Sequence, residues 1–563
     1  IVPEQSTMQT QKEIVELHPG HGVMNINIVS FERLAWRIFE ELAVESLAVL
    51  DDMGKSMVLR RVASGVRKDL RIYGSRLDKN GMIGELKSVL SEFFQYGITK
   101  EQLGGLADEE KNPLLSQKLK DLQTLFSAFR DYTENRVMVK EEILSLLCEV
   151  LPRSELIRGS VVTLDGYTGF TPVQYRLLEL LLLLCRKVTV TITMDPEEAP
   201  YRESGEEELF HLSRHTVCRL IDLASRTGCG RERDILLTGK PFWRFRESPE
   251  LQFIEEELFR YGSAVYRGKG RPESLFLCQA ADPMGEVRFL CGEIGRLVLE
   301  QGIRYREIAV LTGDLETYSK EIVRQFRENG IPCFIDDKKS IIANPLVELI
   351  RSALEVLQTN FSYEAVFRFL KTGLALPLPG LEESAAEKAA AEAGPGVSAG
   401  TAGGESRQQE LLFRLENYVL ALGIRGFGHW NASWDQGYPG GELVNLEELN
   451  RFREAIMRPF LALKEVFSRR GVTVRERIEA LVRFLEELKA EQKLEEMREQ
   501  FAAAGEVELE KEYAQIYGLV LELFDRITAL LGDEKTGREE FSGILDAGFS
   551  EIRVGRIPAV IDR

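Results

Sequence analysis

Apolar positions along this chain alternate between two periods, and the alternation divides it into segments. Residues 160–196, SVVTLDGYTGFTPVQYRLLELLLLLCRKVTVTITMDP, read as strand, loop, helix and strand. Val161–Leu164 is a short β-branched run ending at Asp165, and Val188–Thr193 is a second run followed by Asp195. Between them, Thr171 precedes Pro172, with Gln174 three residues on, the pattern of an N-cap, a first-turn proline and a capping-box partner. The helix from Pro172 to about Cys185 is apolar on most faces and is expected to be buried. Two strands with a crossover helix predict a βαβ unit of a parallel sheet. Ligands of such sheets bind beyond the strand C-termini. In a nucleotide-hydrolysing module, Asp165 and Asp195 face Mg²⁺ and the γ-phosphate.

The rest of the chain repeats this change of period. Asn25–Val29 reads as a strand, followed by an amphipathic helix with Ser30 as N-cap and Phe31, Leu34, Ala35 and Ile38 on one face. Residues 45–158 are nearly all helical, with an apolar stripe of Leu115, Leu119, Leu122, Phe126 and Phe129 after Asn112-Pro113. Thr99 and Gln102 form another capping box. Leu275–Gln279, Ile308–Thr312 and residues 331–336 read as further strands, with a helix over Glu286–Glu300. From Asn344-Pro345 the pattern is helical to about residue 547, with Thr473 and Glu476 opening one helix. The Ala-, Gly- and Ser-rich stretch 374–409 is expected to be a disordered loop. The closing run IRVGRIPAVID is strand-like. The order is thus α/β, helical insertion, α/β, second α/β, helical insertion and return.

Composition narrows the class. At 563 residues, 44% hydrophobic and 29% charged, the chain has the make-up of a multi-domain globular protein. Its longest apolar run, around Leu180–Cys185, is too short to span a bilayer, and the opening residues carry no signal-peptide pattern. It opens on IVPEQST without an initiator Met and closes on a strand-like run, so it is expected to be part of a longer protein. A net charge of −18 argues against a protein that coats nucleic acid, though not against a local basic channel. The seven cysteines are scattered singly, as buried thiols of a reducing compartment would be. His211 and His215 stand at i,i+4, but Leu212 holds the place of the glutamate in a zinc-protease helix. Surface histidines are the simpler reading there and for His18 and His21. MGKS at 53–56 does not make a phosphate loop, because Val49 stands where its first glycine belongs and the segment reads as helix rather than as a loop after a strand.

The segment order resembles superfamily 1 helicases of the UvrD/RecB type. In DGYTGFTPVQ, Asp165, Tyr167, Thr171, Pro172 and Gln174 match the stretch D-E-[FY]-Q-D-x-[NT]-P-x-Q of that group. The finer resemblance is to the AddB family, the B subunits of bacterial AddAB helicase–nucleases. It rests on VPEQST, SFERLAWRIF, DGYTGFTPVQ, RYREIAVLTGDLETY, GIPCFIDDKKSI and LENYVLALGIRGF and covers essentially the whole chain.

The resemblance implies an α/β fold of two RecA-like parallel-sheet domains, each interrupted by a mostly helical insertion. The first domain would hold residues 1–44 and 159–272, with its insertion at 45–158. The second would hold 273–343 and 550–563, with its insertion at 344–549. It implies a cytoplasmic subunit that partners an AddA-type motor and nuclease subunit. The complex would process double-strand breaks for recombinational repair, and the B subunit would read the Chi hotspot in single-stranded DNA. For the full-length family it also implies ATP and Mg²⁺ at the helicase fold, and Mg²⁺ and a 4Fe–4S cluster in a nuclease domain beyond residue 563. The family's phosphate loop would precede Ile1. No cofactor is expected within these residues.

Against that pattern, Gly166 occupies the position of the glutamate that polarises water, and Glu198 that of a γ-phosphate-sensing glutamine. A glycine cannot act as a base. Asp165 and Asp195 are therefore vestigial nucleotide or Mg²⁺ positions; for Asp165, a turn-capping role is an equal alternative. What remains is a single-strand-binding surface, which combines stacking aromatics with polar groups. The candidates are Gln5, Thr7, Phe31, Arg33, Trp36 and Phe170, with the N-terminus of the Phe31 helix as a phosphate site. Phe31 also fits the apolar stripe of its helix, whereas Trp36 lies off it. Two other readings stay open: an active ATP-driven translocase, which needs a base in place of Gly166, and a scaffold for the motor subunit.

Overall fold

A computed structural model describes residues 1–555 except 23, 45–47, 78, 80, 135, 196–197, 238–244, 246, 261, 263, 269–273, 336–337, 377–401 and 439–444. The fold is mostly helical and separates into two compact units. The first is Ile1–Asp51 with Glu85–Ala281, and the second is Asp52–Gly84 with Asp282–Arg563. The segment expected as one helical insertion, 45–158, is thus divided between the units.

In the first unit, α1 (Thr7–Leu17) and α2 (Phe31–Glu41) precede β1 (Val49–Leu50). Of the elements that follow, α3 (Asp52–Gly65) belongs to the second unit, and α4 (Met82–Tyr96), α5 (Lys100–Glu109) and α6 (Pro113–Thr133) lead to β2 (Met138–Val139). Next come α7 (Ile143–Val150), β3 (Val161–Leu164), α8 (Pro172–Leu184), β4 (Lys187–Val190), α9 (His211–Thr227) and α10 (Pro249–Glu257). β3 and β4 pair in parallel, Val161 opposite Lys187 through Leu164 opposite Val190, which is the expected βαβ unit. β1 and β2 form a second parallel pair. The core gathers α2, α7 and α8 over β3, with Phe31, Ile38, Leu147, Leu164, Leu177 and Leu181 buried together. α8 is less enclosed than its composition suggests: Tyr175, Leu177, Leu178 and Leu181 are buried, but Leu183 faces solvent.

The expected strand Asn25–Val29 is not one. Its Val29 carbonyl accepts a bond from the Val2 amide (3.0 Å), while Asp165 N–H donates to the Ile1 carbonyl (3.0 Å) and Ile1 N donates to the Thr163 carbonyl (2.5 Å). Ile1 therefore lies beside Leu164 in a parallel hydrogen-bond pattern, extending the sheet by single residues.

In the second unit, α11 (Pro283–Gln301) packs on α12 (Leu315–Glu328) around Val287, Cys291, Ile294, Ile322 and Phe326. The described residues of the runs at 275–279, 308–312 and 331–336 form no ladder. Leu277 is 99% exposed and Leu311 94%. An apolar run becomes a strand only where cross-strand neighbours bury it, and these lack such neighbours among the described residues. The RecA-like pair of parallel sheets is therefore not seen. Among the described residues there are only three two-stranded sheets, the third joining β5 (Lys338–Ser340) and β6 (Arg553–Gly555) in antiparallel register. The remainder of the closing run lies outside the described residues.

Helices α13 (Pro345–Gln358) and α14 (Tyr363–Leu370) open the long helical part, which ends with Arg538–Glu551. The expected disordered stretch 374–409 is narrower than its composition suggests. Leu374, Ala375 and Leu376 are buried, a helix runs from Ala402 to Leu422, and residues 377–401 lie outside the described residues. Cys148 and Cys291 are buried thiols as expected, but Cys278 and Cys333 are exposed. MGKS lies in α3 directly after β1, not within a purely helical run. It is part of the helix, with Lys55 buried and its ammonium 2.8 Å from Asp52, so no loop is present to cradle phosphate.

Candidate nucleic-acid interface at the strand tips

β3 ends on buried Leu164 and delivers Asp165 to the surface. The Asp165 carboxylate accepts a hydrogen bond from the hydroxyl of Thr191, the residue after β4, so it ties the two strand tips together. Gly166 follows at φ +80°, where an added Cβ would lie 3.4 Å from Pro3 Cδ. The chain then turns into α8 through the expected capping box: Thr171 Oγ1 accepts from Gln174 N (3.4 Å), and Gln174 Oε1 accepts from Thr171 N (2.8 Å). Within the turn, Tyr167 lies between Phe31 (ring centroids 5.3 Å apart) and Phe170 (5.2 Å). Phe170 also meets Tyr175 edge-on at 5.7 Å. Burial pushes the Tyr167 hydroxyl well above the ordinary phenol range, so it stays protonated.

The β4 tip is held by α9. Ser213 Oγ donates to the Thr193 carbonyl (2.8 Å), and Thr216, buried, lies 3.4 Å from the Tyr175 hydroxyl. Arg214, 6% exposed, places its guanidinium 3.0 Å from Glu198 and also on Glu208. Glu198, expected at a phosphate-sensing position, is thus one jaw of an internal clamp. Asp195 is ion-paired with Arg260. The candidate histidines stack with ring centroids 6.0 Å apart, His211 Nδ1 2.8 Å from the Ser204 carbonyl and His215 3.3 Å from Glu203. Among the described residues no group of three or more His, Cys, Asp or Glu side chains is placed to hold a metal ion. Asp165 and Asp195, engaged by Thr191 and Arg260, do not by themselves fit an Mg²⁺ site.

The remaining candidates sit on α2 and the turn before α1. Gln5 lies exposed in a single 3₁₀ turn, Glu4–Ser6, rather than at a strand end. Thr7 is buried (3% exposed), its hydroxyl donating to the Glu4 carbonyl (2.9 Å), and cannot touch a ligand as placed. Phe31 is buried in the core under Tyr167 and Phe170. Phe170 is half-buried. Arg33 and Trp36 are exposed, and their i,i+3 spacing puts them on one face of α2. Arg33 is ion-paired with Glu4 at 2.9 Å, which sets the turn carrying Gln5 beside that face. Bonding to the Ser30 hydroxyl, then to Arg33, holds the Glu4 carboxyl below its usual range. The α2 N-terminus is also less open to phosphate than its sequence suggests. Ser30 accepts from Arg33 N (3.3 Å), and Glu32 occupies the first turn. An exposed ion pair is worth about 0–1 kcal/mol, so Arg33 exchanges Glu4 for another anion at little cost.

Sequence reasoning missed Arg214, Thr216 and Tyr167. Tyr167 stood in the quoted motif, and a second aromatic, Phe170, three residues on in the same turn was the available signal. Arg214 gave none, since an arginine in an amphipathic helix ordinarily marks its wet face.

Comparison with known proteins places these features in a class. Residues 1–255 match the family model described as ADDB, N-terminal. Over its whole length the chain is 40% identical to the B subunit of the ATP-dependent helicase/deoxyribonuclease of Lachnoclostridium phytofermentans, covering 47% of that protein. It is 32% identical to the protein of the same name from Acetivibrio thermocellus and 31% to that from Clostridium acetobutylicum, covering 47% and 46% of them. The chain belongs to the AddB family. It spans about half the length of the curated relatives it matches.

Proposed function

We propose that this chain is the strand-binding half of the B subunit of an ATP-dependent helicase/deoxyribonuclease, whose relatives carry that name. The complex processes double-strand breaks for recombinational repair in the cytoplasm. An AddA-type partner supplies the motor, and duplex ends and single-stranded DNA are the substrates. ATP and Mg²⁺ act in that partner and, with a 4Fe–4S cluster, in parts of the subunit outside this chain. No helix among the described residues is long and apolar enough to cross a membrane.

One observation carries the reading: the strand tips hold both candidate carboxylates in internal contacts, while the adjoining face of α2 leaves Trp36 exposed and presents Arg33 in a solvent-exposed ion pair with Glu4 that another anion can replace. Trp36, 39% exposed, offers a face on which a base can stack, and Arg33 offers a cation to phosphate or a base edge. Gln5 borders that face. Thr7 and Phe31 act from beneath it, fixing the turn and the Tyr167–Phe170 platform, and do not touch DNA. The motor is degenerate at Gly166. In this reading the chain recognises Chi in the strand that the partner delivers.

The test is Arg33→Ala with Trp36→Ala in the full-length subunit assembled with its partner. The expected result is loss of the hotspot response with unwinding unchanged. A normal hotspot response in the double variant overturns the reading and leaves a scaffold. DNA-stimulated ATP turnover by the full-length subunit alone would favour the active-translocase alternative.

A further inference from the structure

The loop joining α3 to α4 is basic in an acidic chain. Residues 66–79, VRKDLRIYGSRLDK, hold Arg67, Lys68, Arg71, Arg76 and Lys79 against Asp69 and Asp78, a local +3 where the whole chain is −18. All five cations are exposed. The loop is a built feature, not a slack connection. Leu70 and Leu77 are buried and anchor it, and the Arg60 guanidinium donates to the Leu77 carbonyl. Its two limbs touch at Gly74, where an added Cβ would stand 2.6 Å from the Arg67 carbonyl oxygen, so only glycine allows that approach. Lys68 and Arg76 are thereby presented from adjoining limbs of one compact turn, with Lys79 two residues beyond its second anchor.

We infer that this loop is a sequence-independent contact for the phosphate backbone of duplex DNA, an inference that rests on the DNA-binding role proposed above. Clustered cations on a fixed turn supply position and affinity without base readout. Duplex is favoured over single strand by what the loop lacks. A single-strand groove interleaves its cations with exposed rings, whereas the one aromatic here, Tyr73, is half-buried.

The experiment uses the full chain and the triple variant Lys68→Gln, Arg76→Gln, Lys79→Gln, with binding to a labelled duplex and to a labelled single strand measured against salt. Each phosphate contact on B-DNA contributes about 0.9 to the slope of log affinity against log salt. Three lost contacts lower the duplex slope by about 2.7, so the affinity lost between 50 and 200 mM salt shrinks about 40-fold. The single-strand slope stays as in the parent. The charge-preserving variant Lys68→Arg, Arg76→Lys, Lys79→Arg restores the duplex slope and separates lost contacts from lost folding. An unchanged duplex slope overturns the inference. So does an equal drop from Lys100→Gln, Lys111→Gln, Lys320→Gln, which removes the same charge elsewhere, or a triple variant that keeps duplex binding but fails to bind the partner subunit. If the parent chain binds no single strand, the proposed strand-reading role fails, while the duplex slopes still decide this one.

Discussion

Replacing Gly166 tests whether the β3 tip is shaped by its backbone. At φ +80° it lies in the left-handed region, where an L-residue meets its own carbonyl, at a cost of about 1–2 kcal/mol. The neighbouring space adds little, since an added Cβ would contact Pro3 Cδ at 3.4 Å. Gly166→Ala is therefore expected to destabilise the tip by about 1–2 kcal/mol, and Gly166→Asn by less, because asparagine tolerates this region. The amides to watch are Asp165 N–H, bonded to Ile1, and Thr191 N–H, bonded to Leu164, each at 3.0 Å. An opening equilibrium shifted by that free energy speeds their native-state hydrogen exchange about 5- to 30-fold in the alanine variant. Gly166→Glu returns the residue type of a working motor to this position but carries the same backbone penalty, so exchange should rise as in the alanine variant with no gain of ATP turnover. Unchanged exchange in Gly166→Ala would show that the tip relaxes freely and that its conformation constrains nothing. Turnover in Gly166→Glu would show that the tip is a motor lacking only its base.

Buried charge supplies two more tests. Arg214→Met strips both Glu198 and Glu208 of their partner and should lower the thermal stability of the first unit, by about 2 kcal/mol once the partial exposure of both acids is allowed for. Glu198→Gln leaves Glu208 in place and should cost less; the reverse order would refute the clamp. Lys493 is buried, its Nζ donating to the Leu374 carbonyl at 2.7 Å, and burial pulls its ammonium down to about 8. The unfolded chain then holds more protons between pH 8 and the ordinary lysine value, so this residue makes the second unit more stable as pH rises through that window, by up to about 3 kcal/mol. Denaturation of Lys493→Met should lack that rise, and identical pH profiles for parent and variant would refute it.

What was legible in the sequence was local. Ser30, Thr99, Asn112, Thr171 and Thr473 cap the helices their spacing predicts, because a cap is settled within four residues. The Phe31 face of α2 and the buried Leu122, Phe126 and Phe129 of α6 follow for the same reason. Pairing was not legible. Val161–Leu164 becomes a strand because Lys187–Val190 lies beside it, and Ile308–Thr312, with an Ile, a Val and a Thr of its own, has no such neighbour among the described residues. Chain continuity also misled: α3 follows β1 directly but packs with the second unit, where Arg61 joins Glu534 and Glu540. At the site, residue type set the limit. Thr7 reads as a free turn hydroxyl until Glu4 is seen to accept from it, and Arg214 reads as surface until Glu198 and Glu208 are seen around it.

The internal contacts bear on the choice between motor and strand reader. A hydrolytic tip needs its carboxylates open, since a cation and a water must exchange there in every cycle. Asp165, Asp195 and Glu198 are instead each held by a protein donor or cation: Thr191, Arg260 and Arg214. Such contacts suit a rigid platform. A base stacking on an aromatic face gains about 1–3 kcal/mol, and ordering a mobile loop on binding would absorb much of that gain. Tyr167 and Phe170 are fixed by Phe31 beneath and Tyr175 beside them, and α9 ties the segment after β4 to α8 through Ser213 and Thr216. In the strand-reading proposal, that stiffness is what lets Trp36 and Arg33 hold one geometry while a strand passes.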